Sequence, residues 1–305
     1  MKISIIGAGN VGGSCALKVC EKGLADEVIL LDICKGIPQG KALDILQAMP
    51  LNGSNSRIIG TNDYSDIKDS DIVVVTAGVP RKPGMTREDL VDVNSKIISS
   101  IASEIKIHAP NSIVIVVTNP LDIMAHLMLK ETGFDTSKVL GMAGVLDSTR
   151  FRTFLAMETG AKVEYIEAMV LGGHGDSMVP LADHVKINGK PVSEILEPEK
   201  LKRIVERTKN GGAEIVKLLK SGSAFYAPSA SIIEMISSIV NVDETVLPCS
   251  VYLSGEYGYE DIFLGVPVKL DKNGVKGIVE LEIAKDEKVL LDKSAEAVRK
   301  VTEDL

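Results

Sequence analysis

The sequence predicts an α/β chain: a doubly wound parallel sheet in the first half, followed by an α+β unit in the second. Three observations lead there. Short β-branched runs alternate with longer helical patterns through the first half, as βαβ units do. Several of these runs lack polar alternation, as expected of strands buried on both faces. Beyond about residue 145 the order changes to hairpins, antiparallel runs and long helices, with no low-complexity linker between. A length of 305 residues fits two units by the rough rule of ~100–200 residues per domain, and the expected division is 1–145 and 146–305.

Taken in order, the expected strands of the first half are Ile3–Ile6, Glu27–Leu31, Arg57–Ile59, Ile72–Thr76 and Ile113–Thr118, with Val139-Leu140 as a sixth. Helical spacing fills the intervals at Val11–Lys22, Pro38–Ala48, Thr86 to about His108, and Leu121–Thr132. Thr86 with Asp89 has the form of a capping box that starts the long helix. In the second half a helix is expected at Asp147–Glu158 and a strand at Val163–Leu171. Asn188-Gly189 then turns a hairpin between His184–Ile187 and Lys190–Val192. Helices are expected at Glu199–Leu219, Ser229–Val240 and Ser294–Thr302, and antiparallel strands at Leu247–Leu253, Ile262–Lys269 and Gly277–Ile283.

A dinucleotide signal sits at the start. Gly7-Ala8-Gly9-Asn10-Val11-Gly12 is G-x-G-x-x-G, placed directly after the first strand and opening the first helix. The first glycine allows a sharp turn, the second lets backbone approach a pyrophosphate, and the third lets helix and strand pack closely. Asp32 ends the second strand at the ~20-residue offset where a carboxylate hydrogen-bonds ribose hydroxyls. That makes the first half a Rossmann unit. It favours NAD over NADP, since a 2′-phosphate ~4 Å from a carboxylate is opposed by roughly 4 kcal/mol per charge at an effective dielectric of 20.

The chemistry signal lies in Gly172-Gly173-His174-Gly175-Asp176-Ser177, a histidine in a glycine-rich loop after an apolar strand. Reducing a ketone by hydride transfer needs a proton donor to the carbonyl oxygen, and the reverse reaction needs an acceptor; an imidazole suits both near neutral pH. Asp147 and Arg150 fall three apart near a helix start and so share a face. A carboxylate on one ring nitrogen fixes the tautomer, while a guanidinium grips a substrate carboxylate bidentately. The loop from Gly78 to Asp89, with Arg81 and Arg87 among two prolines and two glycines, follows the fourth strand, where ligands bind in open α/β sheets. It reads as a closing lid that delivers arginines.

GAGNVG, Asp32, TAGVPRKPGMTREDL, VVTNPLD, GMAGVLDSTRF and LGGHGDSMVP together resemble the malate dehydrogenases of the lactate-dehydrogenase-like subgroup, in the lactate/malate dehydrogenase superfamily. The resemblance spans nearly the whole chain. It implies NAD-linked interconversion of malate and oxaloacetate, with His174 as proton donor and acceptor paired to Asp147. It also implies that Arg150 holds the carboxylate next to the reacting carbon and that Arg87 polarises the carbonyl. In the same pattern Asn94 and the Val117–Asn119 segment touch the cofactor, Asn119 also reaches the substrate, and Ala224 leaves room in the pocket. Arg81 separates malate from lactate enzymes, since the latter typically carry Gln there. The resemblance further implies a homo-oligomer, a dimer or a tetramer. A lactate or other 2-hydroxy-acid dehydrogenase is the alternative within the same chemistry.

Composition excludes other classes. With 45% hydrophobic and 25% charged residues the chain is an ordinary globular one. Its 34 Lys+Arg against 42 Asp+Glu, a net charge of −8, argue against a nucleic-acid partner, and no apolar run reaches the ~18–20 residues of a membrane span. Cys15, Cys20, Cys34 and Cys249 show no C-x-x-C spacing and favour a reduced, cytoplasmic setting. None of them neighbours His174, so a Cys/His metal site is not expected.

Overall fold

The computed structural model describes residues 1–80 and 86–303, with Arg87 through its backbone alone. The first half holds strands β1 (Lys2–Ile6), β2 (Glu27–Leu31), β3 (Arg57–Thr61), β4 (Ile72–Val75), β5 (Ile113–Val116) and β6 (Val139–Gly141). All pair in parallel, in the order β3-β2-β1-β4-β5-β6. Helices α1 (Asn10–Glu21), α2 (Ile37–Asn52), α3 (Arg87–His108) and α4 (Leu121–Thr132) supply crossovers. β4 and β5 are buried along their whole length, which explains why Ile72–Val75 and Ile113–Val116 are uniformly apolar. The order reverses between β1 and β4, so a crevice opens at the carboxyl ends of these two strands.

The second half comprises α5 (Gly144–Thr159), β7 (Ile166–Glu167), β8 (Val170–Leu171), β9 (Val179–Pro180), β10 (Lys186–Ile187) and β11 (Lys190–Pro191). There follow α6 (Pro198–Leu219), α7 (Tyr226–Asn241), β12 (Val246–Ser254), β13 (Glu260–Asp271), β14 (Gly274–Ile278) and α8 (Lys285–Thr302). β12 pairs antiparallel with β6 at Ser250 and Gly141, so β12, β13 and β14 extend the parallel sheet into a single sheet of nine strands. The hairpin turns as expected, with Asn188 at φ 51° and Gly189 at φ 77°, the two left-handed positions of a tight turn.

Three expectations differ from the structure. Val163–Leu171 is not one strand: Val163–Tyr165 coils as a 3-10 turn, β7 pairs with β10, and β8 pairs with β9 in another sheet. The chain changes sheets within these nine residues, and the Ser148 hydroxyl, 2.9 Å away, accepts from the Val170 amide. The expected strand Gly277–Ile283 ends at Ile278, with one last backbone bond from the Val279 amide to the Pro267 carbonyl at 2.8 Å; beyond it the Tyr257 hydroxyl donates to the Val279 carbonyl and accepts from the Leu281 amide, both at 2.9 Å. The last helix begins at Lys285 rather than Ser294, with Asp286 and Glu287 in its first turn and Leu291, Ala295 and Val298 on its buried face.

The glycine loop depends on contact as well as conformation. Gly7 has φ 107°, and a Cβ on Gly12 would lie 1.8 Å from the Gly7 carbonyl oxygen and 2.9 Å from Thr76 Oγ1. Gly12→Ala therefore forces α1 off the loop. We expect it to cost roughly 3 kcal/mol in denaturant unfolding, the scale of overpacking with backbone shift, and to abolish saturable NADH binding in a titration.

Candidate active site

β1 runs into the glycine loop and α1 starts from it with Gly9 as N-cap. Among the described residues no side chain caps this end, and the first turn holds no acidic residue, so the leading amides and the positive end of the helix dipole are available to an anion. A Cβ on Gly9 would meet nothing within 4 Å, so this glycine borders open space rather than packed chain. Lys41 of α2 donates to the Gly9 carbonyl at 2.9 Å. Asp32, just beyond β2, accepts from the Ala8 amide at 2.7 Å through one oxygen and from the Cys34 amide at 2.9 Å through the other. Each oxygen keeps a lone pair, which fits a vicinal diol donating from outside. Ala8 is buried, Asn10 exposed and Val11 half-buried, its carbonyl accepting from Ser229 Oγ of α7 at 3.1 Å. An uncapped helix end, a bare glycine and a tethered carboxylate fit NAD.

Asn94, on α3, is fully buried beside the root of the loop after β4. Its Oδ1 accepts from the Val79 amide at 2.8 Å, and Nδ2 donates to the Val79 carbonyl at 3.2 Å and the Asn119 carbonyl at 2.6 Å. Val117 is buried and Asn119 exposed at the carboxyl end of β5. The capping box is present, Asp89 amide to Thr86 Oγ1 at 3.0 Å and Thr86 amide to Asp89 Oδ2 at 2.9 Å. Arg81 lies outside the described residues, as does the side chain of Arg87, the first residue of α3. Ala224 is half-buried in the link between α6 and α7.

The structure brings His174, Asp147 and Arg150 together. His174 Nδ1 lies 2.7 Å from Asp147 Oδ2, and Arg150 Nη1 donates to Asp147 Oδ1 at 2.9 Å, so each carboxylate oxygen has its own partner. Asp147 is 1% exposed, and a carboxylate there can only accept, which puts the proton on Nδ1 and leaves Nε2 to exchange one. Arg150 Nε is buried without a hydrogen-bond partner among the described residues. Gly211 and Gly212 of α6 make room for this side chain: a Cβ on the first would lie 3.3 Å from Arg150 Cδ, and on the second 3.5 Å from Nη2. Burial opposes a charged His174, yet the Asp147 carboxylate, by charge and hydrogen bond and with Asp122 adding to it, outweighs both burial and Arg150. The imidazole pKa is raised above its ordinary 6.5.

Two supporting residues were not anticipated. The His174 amide donates to Asp122 Oδ2 at 2.8 Å, and the Gly173 amide donates to Ser294 Oγ of α8 at 2.8 Å. Asp122 stands in the first turn of α4, beyond the carboxyl end of β5, so it holds His174 over the same edge of the sheet as Asn119. Its place in VVTNPLD hid it, because an acidic residue in a first helical turn is ordinary. The glycines before His174 follow from these contacts. Gly172 has φ 84°, and a Cβ on Gly173 would lie 2.7 Å from Val298 Cγ2 and 2.9 Å from Ser177 Oγ.

Comparison with known proteins agrees with this architecture. Residues 1–141 match the family model for the lactate/malate dehydrogenase NAD binding domain, and residues 144–305 the model for the alpha/beta C-terminal domain. The chain is 53% identical over 300 residues to the malate dehydrogenase of Methanosarcina mazei, covering 98% of this chain and 97% of the relative. The crystal structure of Cryptosporidium parvum malate dehydrogenase superposes with a TM-score of 0.97 at 46% identity, over 100% of this chain and 98% of that one. Lactate dehydrogenase from the same organism, with lactic acid and NAD, gives 0.96 at 43% identity, over 99% and 96%. With both halves matched, end to end, the chain belongs to the lactate/malate dehydrogenase family.

Proposed function

We propose that the chain is an NAD-dependent malate dehydrogenase that catalyses reversible hydride transfer between malate and NAD, giving oxaloacetate and NADH. The observation that carries this reading is the Asp147 carboxylate shared between His174 and Arg150, which sets a proton donor beside an anion grip. Residues 1–145 form the NAD-binding unit, and 146–305 the unit that brings His174 to the substrate. Gly7, Ala8, Gly9, Asn10, Val11 and Gly12 carry the cofactor pyrophosphate, Asp32 the ribose, and Asn94, Val117 and Asn119 the nicotinamide side. NAD supplies the hydride acceptor and, reduced, the donor.

The chain's own residues do the rest. Arg150 grips the carboxylate next to the reacting carbon, Arg81 the distal carboxylate, and Asn119 also contacts the substrate. Arg87 polarises the carbonyl as the lid closes and water is excluded. His174 Nε2 gives its proton to the keto oxygen in reduction and takes it from the malate hydroxyl in oxidation, while Asp147 holds Nδ1–H and offsets the ring charge.

The fold similarity to a lactate dehydrogenase makes a lactate or other 2-hydroxy-acid enzyme the second reading. Initial rates of NADH oxidation with oxaloacetate and with pyruvate separate them, and repeating both with NADPH tests Asp32. We expect oxaloacetate and NADH to be strongly preferred; faster pyruvate turnover would overturn the malate assignment. The assembly is a homodimer or homotetramer, a reading supported by Leu43 and Leu46, apolar residues 57% and 45% exposed on α2 that a second copy would cover. The cysteine pattern supports a cytoplasmic setting, and among the described residues no helix is long and apolar enough to cross a membrane.

A further inference from the structure

Among the described residues three carboxylates are buried: Asp147 on the His174 ring, Glu287 accepting from the Asp183 amide, and Asp122. Asp122 is 3% exposed, and among the described residues no ion pair with Lys or Arg reaches it. Its oxygens instead take the Ser250 hydroxyl of β12 at 2.7 Å and the His174 backbone amide at 2.8 Å. A carboxylate buried this deeply is costly, and the favourable end of the α4 dipole offsets only part of that cost. We propose that Asp122 is a positioning residue for His174, fixing the histidine loop through its amide and standing behind the imidazole as a second negative charge that supports the protonated ring. This rests on the reading of His174 as proton donor.

Among the described residues the charged groups facing the imidazole come from two helices: Asp147 and Arg150 of α5, and Asp122 of α4. Ser250 of β12 and Ser294 of α8, which complete the loop's setting, are uncharged. Asp147 is already shared with Arg150, whose charge opposes that of the ring, so Asp122 supplies negative charge that no cation on α5 offsets. The attraction is reciprocal. Burial holds the Asp122 carboxyl above its ordinary range, and the Ser250 hydroxyl, the His174 amide and the charged ring offset only part of that rise. A charged His174 therefore favours an ionised Asp122, and an ionised Asp122 favours the charged ring.

Asp122→Asn separates the two roles, because its Oδ1 still accepts from the His174 amide and its Nδ2 donates to Ser250 Oγ. With oxaloacetate and NADH saturating, we expect the alkaline limb of the kcat–pH profile to move about one pH unit toward acid. The rate then falls about tenfold on that limb and changes little on the acid side of both limbs. Ser250→Ala, which does not touch His174, shifts the limb the same way by less, since it removes a donor that keeps Asp122 ionised; it decides the matter should Asp122→Asn not fold. A limb left in place in the variants, whatever the loss in rate or rise in KM, reduces Asp122 to a structural bond and overturns the proposal. Failure of the underlying reading looks different: His174→Asn would then retain turnover.

Discussion

His174→Asn is expected to lower turnover in both directions by at least about 10³-fold, the scale of a lost general acid–base, while NADH still binds. The substitution is local. His174 hangs from Asp122 and Asp147, whereas the glycine loop is held by Thr76, Asp32 and Lys41, so fluorescence titration with NADH should give the parental affinity. Substantial residual turnover in a variant that binds NADH would remove His174 as the proton donor. The pH dependence follows from the raised imidazole pKa. With His174 as the proposed proton donor, oxaloacetate reduction needs the protonated ring and falls as pH rises through the raised value; malate oxidation needs the neutral ring and gains on the same limb. The sign for stability is parallel: the dyad's contribution is complete below the unfolded value near 6.5 and is lost as pH rises through the folded one.

What could be read from the sequence was what is local along it. Gly7 to Gly12 form one turn and one helix start, and Asp147 with Arg150 share a helix face, so spacing alone brought out the geometry that the distances bear out. The pairing of His174 with Asp147 crosses 27 residues and came from chemistry and family resemblance rather than periodicity. The supports beneath the loop lie farther off. Asp122 meets His174 across 52 residues and Ser250 across 128, and Ser294 meets Gly173 across 121. Contacts of that kind leave no local pattern, and serine is common enough to carry no signal. The same limit produced the Val163–Leu171 error: an apolar run reveals burial, but not that its amides are shared among two sheets and the Ser148 hydroxyl.

The second large effect concerns substrate choice. Arg81→Gln should lower the ratio of kcat/KM for oxaloacetate over pyruvate by about 10³. A charge-assisted hydrogen bond to the distal carboxylate is worth roughly 1.5–3 kcal/mol, and an arginine closed against a methyl group carries a desolvation cost of similar size. The two terms act on opposite substrates, so they add in the ratio to about 4 kcal/mol, and each 1.4 kcal/mol is tenfold. In the proposed arrangement Arg150 cannot supply this discrimination, because both substrates would present it with the same carboxylate beside the keto carbon. It is also fixed by Asp147 and enclosed by Gly211 and Gly212, so its geometry is set by α5 and α6. Selectivity therefore rests on Arg81 and affinity on Arg150, and steady-state assays with the two keto acids test the division. An Arg81→Gln variant with the parental ratio would move the discriminating contact elsewhere in the pocket and leave the His174 chemistry untouched.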